Sequence, residues 1–211
     1  MAKAQLTISS KNYGAWALRG WLMCRFAGLD FTEHVIPPDD PVMKAEMLLL
    51  SSSMLVPSLQ HNGIKVWDTL AIGEYLHEVK PRAGLLPADQ KARAHCRAIC
   101  GEMHSGFSAL RSALPMNIKA HFPGFKVWSR AVADIERVVA IWKECLVAHG
   151  GPFLFGKPTL ADAYFAPVAV RLRTYRVDLP PAAAAYVEAI YQWPAFQRWY
   201  RAGLQETESN A

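Results

Sequence analysis

Residues 56–76 read VPSLQHNGIKVWDTLAIGEYL, and this stretch decides the fold. Residues 57–61 and 64–67 are short apolar segments on either side of Asn62-Gly63. Asn-Gly between two such segments is the strongest short-range hairpin signal, because both residues tolerate the positive φ of a two-residue turn. A helix is predicted from Asp68 to about Val79, with Leu70, Ile72, Tyr75 and Leu76 apolar. Pro57 has no amide hydrogen, so it belongs at a strand start, an edge or a special turn. Asp68 and Thr69 open the helix, where unpaired N–H groups and partial positive charge suit a carboxylate. The Asp68 carboxylate can also accept from an ammonium group. A plainer role for either residue is to cap the helix.

Working toward the N-terminus, residues 4–9 alternate polar and apolar and read as a strand, as does the segment FTEHVI before Pro37. Between them, residues 13–28 (YGAWALRGWLMCRFAG) read as a helix ending at Gly28. After the Pro37-Pro38-Asp39-Asp40 break, residues 42–50 read as a short helix, giving the order βαβαββα. Toward the C-terminus the character changes. Residues 80–87 (KPRAGLLP) are rich in breakers and read as a linker. Helical patterns then run over about 88–114, 124–149, 159–175, 181–191 and 194–204, divided by Pro115, Pro123, Gly150-Gly151-Pro152, Pro180 and Pro194. Thr159 and Asp162 have the spacing of a reciprocal capping box. The polar tail from Glu206 is expected to fray. These patterns predict an α/β unit over 1–79, a linker over 80–87 and an all-helical unit over 88–211.

The 211 residues, half of them hydrophobic and 19% charged, suit a packed globular chain. The net charge of +5 is scattered, with no run of basic residues, which argues against nucleic acid as a partner. The start has no apolar leader, and no segment has the length of a membrane span, so the expected location is cytoplasmic. Cys24, Cys96, Cys100 and Cys145 form no C-x-x-C pair. They read as reduced, packed thiols, and no metal is expected.

Taken together, the VPSLQHNGIKVWDTLAIGEYL and FLFGKPTLADAYFAPV blocks resemble the glutathione S-transferase superfamily over essentially the whole chain. The first is similar to that family's VPxL…D/E-S/T-x-A-I-x-x-Y-L block, the second to its capping box and hydrophobic staple. The resemblance implies a thioredoxin-like N-terminal domain followed by an all-α bundle. It also implies a cis peptide before Pro57, a backbone clamp on glutathione at Leu55, Val56 and Pro57, and γ-glutamyl recognition by Asp68 and Thr69. The co-substrate would be glutathione, the partner a small electrophile, and the assembly a homodimer. A helix of the second domain, around residues 101–112, would line the cleft.

KNYGAWALRGWL resembles the zeta-like SSCSWRVR arrangement of the serine-type lineage, aligned through Arg19. Asn12, Tyr13, Gly14 and Ala15 then stand where Ser-Ser-Cys-Ser would be, so the usual catalytic serine is replaced. A helix N-terminus with one donor still favours a thiolate. The candidate donors are Asn12, Ser10 and Tyr13, or a backbone amide of the turn. Leu55 also replaces the family's usual lysine before Val-Pro. Ser51, Ser52, Ser53, Gln60, His34 or Lys44 are candidates to compensate. In the helical half, Ser105, Ser108 and Arg111 are the cleft candidates, with Arg111 suited to an acidic co-substrate, while Met103, Phe107 and Leu110 read as core. Two functions follow: glutathione transfer, isomerisation or reduction on a small electrophile, or a binding module that has lost catalysis.

Overall fold

The structure is a computed structural model that describes residues 4–36 and 56–207. The expected helix at 42–50 lies outside the described residues, as do Leu55, Lys44 and Ser51 to Ser53.

Four strands make one mixed sheet: β1 (Ala4–Ile8), β2 (Thr32–Val35), β3 (Ser58–His61) and β4 (Ile64–Trp67), in the order β2-β1-β3-β4. β2 runs parallel to β1, with Gln5 opposite Thr32, while β3 is antiparallel to β1, with Leu6 opposite Leu59. β3 and β4 form the antiparallel hairpin, turned by Asn62 and Gly63, both at positive φ. Alternation places Ala4, Leu6 and Ile8 in the core.

Helix α1 (Ala15–Phe26) crosses from β1 to β2. Every residue from Ala17 to Cys24 is buried. A helix that is covered on all sides must be apolar all round, and α1 has one exception, Arg19. Helix α2 (Thr69–Val79) follows the hairpin and packs against α1. This is the thioredoxin-like arrangement expected from the sequence.

After a short 3-10 turn at Pro81–Ala83, the rest of the described chain is helical: α3 (Gln90–Ser105), α4 (Ser108–Ala113), α5 (Ser129–His149), α6 (Leu160–Thr174), α7 (Pro181–Gln192) and α8 (Pro194–Gln205). α6 is the central helix, buried from Leu160 to Leu172 and packed against both α1 and α3. Asp162 reaches back to the Thr159 N–H at 2.7 Å and also accepts from Leu154 N and Tyr186 Oη, so the capping box is formed and buried. One apolar core runs from β1 to α8.

Two expectations are corrected. The helical run over 88–114 is broken at Gly106-Phe107, where a Cβ on Gly106 would stand 2.8 Å from Glu102 O and Phe107 has φ +59°. Gly106 and Phe107 are therefore the boundary between α3 and α4. The tail is also ordered through Glu206, which bonds to the turn after β1.

Candidate functional site

The N-terminus of α2 begins at Asp68, whose φ of +72° and ψ of 136° are unusual for a residue with a side chain. Its Oδ1 accepts from Leu70 N at 2.7 Å, capping the helix. Its Oδ2 lies 3.2 Å from His104 Nε2, on α3. The cap thus uses one oxygen of the carboxylate, and the other faces His104. Thr69 is buried, and its hydroxyl oxygen accepts from Tyr164 Oη at 2.9 Å. With the residue 1% exposed, the backbone amide at the helix N-terminus is what Thr69 is placed to offer a ligand.

The Val56-Pro57 peptide is cis. Pro57 is buried and Val56 half-buried where the chain enters β3. Gly20 of α1 lies directly beneath: a Cβ there would stand 2.6 Å from Pro57 Cγ. Gly20 therefore allows α1 to approach this turn. The sequence reading did not single it out, although a glycine inside an apolar helix is itself a sign of close backbone approach. Of the candidates to replace the missing lysine, Gln60 is exposed on β3 and His34 half-buried on β2.

Between β1 and α1 lies the turn that carries the three thiolate-donor candidates. Ser10 is buried, accepts from Asn12 N and Tyr13 N at 3.1 Å each, and donates its hydroxyl proton to Glu206 Oε2 at 2.7 Å. A hydroxyl has one proton, so Ser10 already spends its only donor within the protein. Asn12 is 1% exposed. Its Oδ1 accepts from Lys119 N at 3.1 Å, while its Nδ2 is buried without a partner. Tyr13 is half exposed. Gly14, the residue before α1, cannot carry a side chain, because a Cβ would meet Ser10 O at 2.2 Å.

One turn along α1, Trp16 joins this region to the helical half. It meets His104 edge-on at 5.1 Å, and the Arg19 and Arg111 guanidinium groups lie 4.2 and 5.7 Å from its ring. Arg19 is 2% exposed and donates to Tyr164 O, with Nη1 unpartnered. Burial pulls its pKa down to about 9, and the nearby Arg111 and Arg171 push the same way. Arg171 donates to the carbonyls of Arg111 and Leu114, and Arg111 to that of His104. Among the described residues, none of these three arginines has a carboxylate partner. Ser105 and Ser108 are exposed at the α3–α4 corner, and the Ser105 hydroxyl donates back to Gly101 O. Met103, Phe107 and Leu110 are core.

The structure thus joins Trp16, His104 and Asp68 by direct contacts between α1, α3 and the start of α2, with Asn12 in the turn that precedes α1. Arg19 had a sequence signal, a charge in the middle of an apolar stretch of helix. His104 and Glu206 had none, since their partners lie far off in sequence. All four cysteines are buried, and no described cluster of His, Cys, Asp and Glu is placed to hold a metal.

Comparison with known proteins agrees with this architecture. Residues 13–79 match the family model "Glutathione S-transferase, N-terminal domain" and residues 125–202 match "Glutathione S-transferase, C-terminal domain". The chain is 30% identical to glutathione S-transferase 1 of Dianthus caryophyllus over 78% of this chain and 75% of that protein. It is 28% identical to a probable maleylacetoacetate isomerase of Caenorhabditis elegans over 65% of each, and the match spans 62% of the rat maleylacetoacetate isomerase, short of two thirds of either relative. A Burkholderia glutathione transferase homolog, solved with bound glutathione, superposes with a TM-score of 0.73 at 25% identity over 98% of this chain and all of that one. The chain belongs to the glutathione S-transferase family.

Proposed function

We propose that this protein binds glutathione and uses its thiolate on a small, preferentially anionic electrophile. The observation that carries this reading is Asp68, a charged non-glycine residue held at φ +72° at a helix N-terminus. Backbone strain of this kind costs about 1–3 kcal/mol and persists where it has a use. Here its use is to aim a carboxylate at the ammonium of the γ-glutamyl end while the first amides of α2 take that end's carboxylate. The backbone of Val56, entering β3 after Leu55, pairs with the cysteinyl peptide, and Pro57 shapes that edge.

The sulfur then lies toward the turn before α1. Asn12 Nδ2 is the group best suited to it. Lys119 N fixes Oδ1 as the acceptor end, so the unpartnered end is a donor. A buried donor left unpaired costs about 1–3 kcal/mol, and a thiolate relieves that cost while gaining a charge-assisted bond. Tyr13 is the second choice, and Ser10 the weakest because of Glu206. The thiolate attacks an electrophilic carbon. On an activated double bond the π pair moves onto the conjugated carbonyl as an enolate. Protonation then leaves a thioether, or rotation about the former double bond, now single, and expulsion of the thiolate re-form the double bond with net isomerisation. On a halide the thiolate displaces the halide ion and remains as a thioether.

The arginine cluster supports an acidic second substrate. Arg111 is its partly exposed member and the residue placed to meet a carboxylate, with Ser105 and Ser108 on the rim. The names of the relatives, glutathione transferases and maleylacetoacetate isomerases, are consistent with both outcomes. The reading includes a sheet unit over 1–79, a linker over 80–87, a helical unit over 88–211, and a cytoplasmic homodimer. No described helix is long and apolar enough to cross a membrane. Binding without turnover is the second reading, favoured by the engagement of Ser10 with Glu206.

Calorimetry with glutathione, followed by turnover of chlorodinitrobenzene and of cis-unsaturated dicarboxylates, tests the proposal. Uptake with turnover supports the enzyme. Uptake without turnover across the panel supports the binding module, and no uptake refutes both.

A further inference from the structure

Glu206 follows α8 and lies 196 residues from Ser10 in sequence, yet the two side chains touch. Its Oε2 accepts from Ser10 Oγ at 2.7 Å and Asn12 N at 2.8 Å, and its Oε1 accepts from Lys11 N at 2.8 Å. Around it, Trp199 Nε1 donates to Lys11 O at 3.0 Å, Ile118 N donates to Asn12 O at 3.3 Å, and the Lys119 ammonium donates to the Glu206 carbonyl. Gly203 of α8 lies so close that a Cβ would stand 3.2 Å from Lys11 O.

These bonds leave a specific remainder. The Ser10 proton and the amides of Lys11 and Asn12 all go to Glu206. The Lys11 ammonium pairs with Glu33 at 2.5 Å, and Asn12 Oδ1 takes Lys119 N. Among the side-chain donors of Ser10, Lys11 and Asn12, only Asn12 Nδ2 has no partner. A carboxylate near a thiolate disfavours the anion by like-charge repulsion. Glu206 is therefore badly chosen if charge is its contribution, and well chosen if geometry is.

We propose that Glu206 is a positioning residue for the thiol-facing turn: from the far end of the chain it fixes Ser10 to Asn12 so that the Asn12 amide is presented to the glutathione sulfur. This rests on the glutathione reading above. Glu206 acts through Asn12 and does not touch the sulfur.

The test compares wild type with Glu206→Ala and Glu206→Gln in the full chain. Three quantities are read below the melting transition: glutathione Kd by calorimetry, the pKa of the bound thiol from thiolate absorbance near 240 nm, and kcat on whichever electrophile turns over. Small misplacements of a reacting group cost large factors in rate, so Glu206→Ala is expected to lower kcat at least about tenfold. The bound thiol pKa should rise by on the order of one unit, because the sulfur loses its donor. Kd is expected to stay within about threefold, since the charged ends of the ligand sit elsewhere. Glu206→Gln keeps one accepting oxygen and should recover most of both losses. A purely structural role predicts a lower melting temperature with an unchanged thiol pKa, and that result overturns the proposal. If Glu206→Ala does not fold, Glu206→Gln decides: a thiol pKa at or slightly above wild type supports placement, whereas a thiol pKa below wild type means that charge, and not placement, is what Glu206 contributes, and overturns the proposal. If wild type binds glutathione but the bound thiol titrates as free thiol in all three proteins, only this inference falls. If wild type takes up no glutathione, the underlying reading falls and takes this inference with it.

Discussion

Replacing Asp68 by glycine separates what this residue does for the fold from what it does for the ligand. In the folded chain its backbone sits at φ +72° and ψ 136°, which glycine adopts freely and other residues do not. Relief of that strain is worth about 1–3 kcal/mol. Against it stand three losses. The cap bond to Leu70 disappears, which at this position costs only a few tenths of a kcal/mol when glycine is the replacement. The half-exposed pair with His104 adds about 0–1 kcal/mol. The extra freedom of glycine in the unfolded chain adds roughly 0.5–1 kcal/mol. The terms nearly cancel, so Asp68→Gly should keep its stability within about 1 kcal/mol of wild type. Asp68→Ala keeps the strain and loses the cap, so it should be the less stable of the two by about 1–3 kcal/mol. Both variants lose the charge-assisted contact to the ligand ammonium, about 1.5–3 kcal/mol. That corresponds to roughly 10- to 150-fold weaker glutathione binding. Urea melts give the stabilities and calorimetry gives the affinities. The reasoning fails if the glycine variant is the less stable of the pair, or if either variant binds glutathione as tightly as wild type.

Asp162→Ala removes the acceptor of four buried donors, Leu154 N, Thr159 N, Thr159 Oγ1 and Tyr186 Oη. Burial pushes this carboxyl up to about 6 even against those bonds, so part of the loss is offset. A net cost of about 3 kcal/mol or more is expected in urea melts, with Asp162→Asn in between. Gly20→Ala should weaken glutathione binding with a stability loss of about 1–3 kcal/mol, because the new methyl group meets the Pro57 ring. Equal affinity would show that the Pro57 turn tolerates displacement. Glu33 sets a pH dependence. Burial raises its pKa, but bonds from Lys11, Trp21 and Arg25 outweigh this and hold it below the ordinary value. The folded pKa is depressed, so its stabilisation is present above the unfolded value near pH 4.3 and is lost as the pH falls through the folded one. Wild type should exceed Glu33→Gln by about 1 kcal/mol at pH 7, a gap that closes toward pH 3.

Much of the sheet half was legible because its signals are local. Asn62-Gly63 sets the hairpin, the alternation of Ala4 to Ile8 sets the central strand, and Asp68 marks the helix start. Thr159 and Asp162 belong to the same class, since a capping box is written within four residues. What escaped depends on partners distant in the chain. Thr69 shows no sign in its own neighbourhood of the Tyr164 hydroxyl that its oxygen accepts from, 95 residues on. Ser10 reads as a free hydroxyl until Glu206 arrives. Glu206 itself sits in a polar tail whose composition suggests fraying, and only the folded arrangement of α8 beside the β1–α1 turn gives it a role. A glycine inside a helical pattern weakens it, but the break at Gly106 hinges on Phe107 accepting a left-handed conformation.

The bonds from Trp199 and Glu206 to the first turn have a consequence for how the protein is made. Synthesis runs from the N-terminus, so Ser10 to Asn12 leave the ribosome long before the groups that hold them exist. Until α8 and Glu206 have been extruded, the Ser10 hydroxyl proton and the Lys11 amide and carbonyl lack the partners they have in the folded chain and must stay hydrated. Capacity for the ligand's sulfur should therefore arise all at once, and only after Glu206 has been extruded. A chain stopped before Trp199 would carry the sheet and its hairpin complete, yet lack a formed reactive corner.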